Sequence, residues 1–83
     1  MARLPQVSGQ RLIRFLERLG YIAIRRKGSH VRLKKPTSAG EHHVTVPEHR
    51  TIAKGTLNDI VASVGLWNGI AKEELVRRLR RGD

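Results

Sequence analysis

Leu12, Phe15, Leu16 and Leu19 recur at the i, i+3, i+4, i+7 spacing of one helical face, with Arg11, Arg14, Glu17 and Arg18 between them. Ser8 stands where an N-cap would, and Gly20 where a left-handed C-cap would end the helix. Two strand-like runs follow, 21–27 and 30–35, split by Gly28-Ser29, a dipeptide suited to a two-residue type II′ hairpin turn. Pro36 has no N–H to give a ladder, so it is expected to close the second run, with PTSAGE as a loop. The alternating, β-branched run 42–46 predicts a third strand, ended by Pro47. Leu57, Ile60, Val61 and Val64 restore the helical spacing, and Gly65 follows the last of them. Thr56 with Asp59, or Thr51 further upstream, is placed to cap that helix. A final helix is expected from Asn68 to about Arg80, supported by the Glu73–Arg77 and Glu74–Arg78 pairs at i, i+4. The order α-β-β-β-α-α describes an α+β domain, with helices on one face of a three-stranded antiparallel sheet.

The hairpin sorts its own side chains. With Gly28 and Ser29 as the turn, Lys27 faces His30, Arg26 faces Val31, Arg25 faces Arg32 and Ile24 faces Leu33. Alternation then gives one face Ile22, Ile24, Val31 and Leu33, with Arg26 and Lys35 at its ends, and this face is expected to pack on the helices. The other carries Ala23, Arg25, Lys27, His30, Arg32 and Lys34. A slip of one residue would bury the cations, at a cost a small core cannot meet.

Composition sharpens this picture. Eighty-three residues are expected to form a single domain, 1–83, with a core too small for a lidded active site or a large cofactor. Seventeen Lys and Arg against seven Asp and Glu leave a net charge of +10, which points to an anionic partner, nucleic acid before an acidic protein or a membrane surface. The absence of cysteine removes disulfides and thiolate metal sites. Neither a signal peptide nor an apolar stretch of membrane-spanning length is visible, so the expected location is the cytoplasm, with no membrane partner.

The stretch RRKGSHVRLKK holds six basic residues and no acidic one around His30. Fixed positive charge disfavours a further cation, so an imidazole placed there is expected in its neutral, proton-accepting form. Cleavage of RNA without a metal needs such a base for the 2′-hydroxyl and cations for the charge that builds on the phosphoryl oxygens. Lys27, a second histidine or water could supply the proton to the leaving oxygen. The plain alternative is a wet, charged sheet face with His30 as a bystander. His42 and His43 are adjacent and project to opposite faces of a strand, so they do not share a metal ion, and no metal or small-molecule cofactor is expected. His49 reads as a loop residue or a substrate contact, and Trp67 as a packing anchor in a connection between helices. Arg77, Arg78, Arg80 and Arg81 suit the negative end of a helix. No Walker A, GxGxxG or GxSxG pattern occurs.

A helix ending in glycine, then KGSHVRL, VTVPEH and KGTLNDIV in that order, resembles the HicA-type toxin family over roughly residues 8–75. The resemblance implies a double-stranded-RNA-binding-like α-β-β-β-α fold, here with an extra C-terminal helix. It also implies metal-independent cleavage of messenger RNA and neutralisation by a HicB-type antitoxin. The family's catalytic histidine follows Gly-Ser, which here are Gly28 and Ser29, and it maps onto His30. The accompanying substrate contacts, Lys27, Arg25, Arg32 and Lys34, come from strand register. The alternative class is a non-catalytic double-stranded-RNA- or DNA-binding module.

Overall fold

Ser8 accepts the Arg11 amide at 3.1 Å and opens α1 (Gly9–Arg18). The helix closes in a Schellman turn: the Gly20 amide reaches Glu17 O and the Tyr21 amide reaches Leu16 O, each at 3.0 Å, with Gly20 at a φ of 106°. In the computed structural model, which describes residues 3–82, β1 (Ile22–Lys27), β2 (His30–Thr37) and β3 (Gly40–Pro47) follow, then α2 (Lys54–Asn68) and α3 (Lys72–Arg81). The sheet is antiparallel in the order β1-β2-β3, as the sequence pattern predicts.

Val31, Leu33, Val44 and Val46 point from the sheet into one hydrophobic cluster with Leu12, Phe15 and Leu16 of α1 and Leu57, Val61 and Val64 of α2. α3 adds Leu75, Val76 and Leu79, each at most 2% exposed, so the extra helix completes the core. Burying each such side chain is worth about 1.5–3 kcal/mol. Arg11 ties α1 to the end of α3 by donating to the carbonyl of Leu79 at 2.5 Å.

Several boundaries differ from the expectations. β2 runs through Pro36 to Thr37, and PTSAGE is a tight hairpin in which Thr37 pairs with Gly40 across Ser38-Ala39. Thr37 Oγ1 accepts the Ala39 amide and donates to Gly40 O, a hydroxyl-built turn that needs no glycine at its centre. Pro36 is tolerated because β1 ends opposite Lys34, which leaves β2 with one neighbour there. α2 begins at Lys54 without a side-chain cap, so neither Thr56 nor Thr51 plays that part. It also continues past Gly65 to end at Gly69, in the left-handed region at φ 65°, which places Trp67 in the last turn of α2. Gly65 serves close approach: a Cβ there would lie 2.7 Å from Ile70 O.

The largest correction concerns β1. Lys27, Arg26 and Arg25 pair with His30, Val31 and Arg32 as expected, but Ile24 is then the extra residue of a β-bulge. Beyond it Ala23, not Ile24, lies opposite Leu33, and Ile22 lies opposite Lys34. The bulge exchanges the faces, and neither isoleucine joins the core: Ile22 is 57% exposed and Ile24 44%.

Candidate functional site

The Gly28-Ser29 turn has Gly28 at φ 59° and no positive φ at Ser29, the combination of a type II′ turn. It sets Lys27 directly across from His30. The turn is held from the third strand as well: the Glu48 amide donates to Ser29 O at 2.5 Å, and Arg26 forms an ion pair with the Glu48 carboxylate. Glu48 is in turn fixed by α1. Gly9 donates its amide to His49 O at 2.8 Å, and a Cβ on Gly9 would meet Pro47 O at 2.4 Å and Glu48 Cα at 2.6 Å. The start of α1, the end of β3 and the hairpin turn thus converge beside His30.

On the uncovered side of the sheet, Arg25, Lys27, His30, Arg32 and Thr45 line an open depression of about 200 Å³. Its cations come from neighbouring strands, and no carboxylate lines it. Arg32 and Thr45 are cross-strand partners. Thr45 escaped the sequence reading, which paired only the first two strands. The alternation of 42–46 already placed it on the opposite side from Val44 and Val46. Lys34 shares this face but sits beyond the depression, 3.6 Å from Glu41.

The other histidines occupy different surroundings. His42 is 4% exposed, stacked on Trp67 with ring centroids 4.9 Å apart and planes at 11°. Asn68 donates to the Tyr21 hydroxyl at 2.9 Å, which leaves the Tyr21 proton for His42 Nδ1 at 2.6 Å. Nε2 then carries the imidazole hydrogen and donates to Ser63 Oγ at 2.8 Å. Burial, and then the neighbouring His43, lower the pKa of His42. Burial likewise raises that of Tyr21, against the Asn68 hydrogen bond. His43 lies on the open side and donates to Glu41 at 3.0 Å, the bond that does most to hold that carboxyl below its usual range. His49 lines a separate depression of about 280 Å³ with Ser8, Gln10, Glu48 and Arg50. Of the groups considered as proton donors to a leaving oxygen, Lys27 is the side chain that shares the depression with His30. Among the described residues, no three of His, Cys, Asp and Glu gather in a way that could hold a metal ion.

A three-stranded sheet backed by helices, with a histidine-bearing cationic depression on its bare side, defines a small α+β domain suited to a polyanion. The sequence model of the HicA toxin of bacterial toxin-antitoxin systems matches residues 9–66, and the chain belongs to that family of toxins. The match spans α1 to the last turns of α2 and leaves α3 outside. Membership implies an antitoxin as partner. No curated protein and no solved structure matches the chain. No helix among the described residues is long and apolar enough to cross a membrane.

Proposed function

We propose that this toxin is a metal-independent endoribonuclease acting on messenger RNA, with His30 as general base. The observation that carries the reading is the exposed imidazole set in a depression whose charged groups, Arg25, Lys27 and Arg32, are all cations. The ribose-phosphate chain lies along these cations. A ring nitrogen of His30 takes the proton of a 2′-hydroxyl, and the freed oxygen attacks the adjacent phosphorus. Arg25 and Arg32 stabilise charge on the non-bridging oxygens while the bond to the 5′-oxygen breaks. The leaving oxygen takes its proton from Lys27 or from water that the open site admits. The products are a 2′,3′-cyclic phosphate and a free 5′-hydroxyl, with every proton accounted for. DNA has no 2′-hydroxyl and is spared. A HicB-type antitoxin that covers this face would silence it.

The test is cleavage of a defined RNA in EDTA, with the same RNA carrying a single 2′-deoxy substitution at the cut site. Cleavage that persists in EDTA and stops at the deoxy position is expected, and His30→Ala should lose about 10²–10⁴-fold in rate. A folded His30→Ala protein that still cuts RNA at the wild-type rate would remove His30 from the chemistry. Salt-sensitive RNA binding with no product from the wild type would favour the non-catalytic module instead.

A further inference from the structure

β1 is a free sheet edge with an unusual mixture of side chains. Every one of its residues is exposed, and its outer side faces no other strand. Ile22 and Ile24 stand side by side in sequence with Arg25 and Lys27, and together with Leu66 they are the large apolar residues most exposed to solvent. A sugar-phosphate chain has no use for two isoleucines, and unpaired backbone N–H and C=O groups on a strand edge are matched by another strand. Pairing between two copies of β1 would crowd Arg25 and Lys27 of both chains onto one two-stranded ribbon, with no carboxylate in IAIRRK to offset them. An edge guarded by charge is guarded against itself, not against a strand of opposite sign.

We propose that β1 is the docking edge for the antitoxin. An extended antitoxin segment carrying apolar and acidic side chains pairs along the free side of the strand, its apolar residues over Ile22 and Ile24 and its carboxylates at Arg25 and Lys27. This rests on the reading of the chain as a toxin held by a protein antitoxin. Arg25 and Lys27 also line the His30 depression. Docking at the edge therefore neutralises two of the cations that RNA requires, so antitoxin and substrate compete through shared charge.

The experiment co-expresses the chain with the product of the adjacent reading frame and follows amide hydrogen exchange in the free toxin and in the complex. Binding of the Ile22→Thr/Ile24→Thr variant is measured in parallel. The expected result is slowed exchange of the outward-facing β1 amides in the complex, and affinity lowered on the order of tenfold by the double substitution. RNA cleavage by the free variant should be unchanged, since neither isoleucine lines the depression. A complex that forms while the β1 amides exchange as fast as in the free toxin, or that ignores the double substitution, overturns the docking edge and leaves the antitoxin reading standing. If that product fails to bind at all, the assignment of a protein antitoxin falls, and the docking edge with it.

Discussion

His30 and His42 carry the same ring into opposite environments. His30 stands in solvent among cations, whereas His42 lies under the sheet between Trp67, Tyr21 and Ser63. The lowered pKa of His42 makes it a contributor to pH-dependent stability, and its sign follows from linkage. The unfolded chain protonates this histidine near pH 6.5, while the folded one resists until lower pH. Its contribution is therefore whole above pH 6.5 and declines as pH falls below that value, by at most about 1.4 kcal/mol per pH unit for one proton. Urea unfolding between pH 7.5 and 5 should show this decline, and His42→Gln should flatten it. The native-state preferences of Glu41 and Glu74 for the charged form act in a lower window, where stability is lost as pH falls through the carboxylate range. At this scale the sequence was half legible. Alternation placed His30 among Arg25, Lys27 and Arg32, because the two-residue turn leaves no freedom of register next to it. The partnership of His42 with Tyr21, Ser63, Trp67 and Asn68 was not legible, since it joins β3 to the last turn of a helix whose end the sequence placed too early.

Among the elements, the hairpin that presents His30 depends on a helix that never touches the depression. α1 starts flush against Pro47 and Glu48, and Glu48 holds the turn through Ser29 O. A methyl group at Gly9 would run into the Pro47–Glu48 backbone, so Gly9→Ala should destabilise the fold by about 1–3 kcal/mol. It should also slow RNA cleavage by displacing the Glu48 anchor. Gly55→Ala is the control of opposite sign. A Cβ there meets nothing within 4 Å, and removing a glycine from α2 should stabilise by about 0.5–1 kcal/mol. Urea midpoints and cleavage rates of the two variants check both. Helix and strand identities were readable from the 3.6 and 2.0 periods, and Gly20 and the Gly28-Ser29 turn fell where their chemistry demands. The bulge at Ile24 was not readable. Nothing in IAIRRK marks the extra residue, which shows only in the pairing of β1 with β2. The PTSAGE hairpin was missed for a different reason, because its two central residues are Ser38 and Ala39, with the Thr37 hydroxyl building the turn and Gly40, at φ 120°, closing it.

At the scale of the whole molecule, the net charge of +10 is distributed unevenly in what it can do. Arg77 and Arg78 are engaged by Glu74, Arg11 by α3, and Arg26 by Glu48. Arg25, Lys27 and Arg32 are the cations gathered at the depression. If about three phosphates are met there, log affinity for single-stranded RNA should fall with log salt at a slope of about −2. That is roughly a twentyfold loss between 50 and 200 mM salt, measurable by fluorescence anisotropy on the His30→Ala protein. A slope several times steeper would mean that RNA also engages other arginines. The fate of the aromatic rings has a further consequence. The chain has one Phe, one Tyr and one Trp; Phe15 and Tyr21 are buried, and Trp67 is committed to His42. With none of those three rings on the open side, the imidazoles of His30 and His43 are the ones left there to stack on a base, and the proposed ribonuclease would hold a transcript chiefly by its sugar-phosphate rail. Such a toxin would read sequence only weakly. Which messages die would be decided by which of them lie unfolded and unguarded while the antitoxin is scarce.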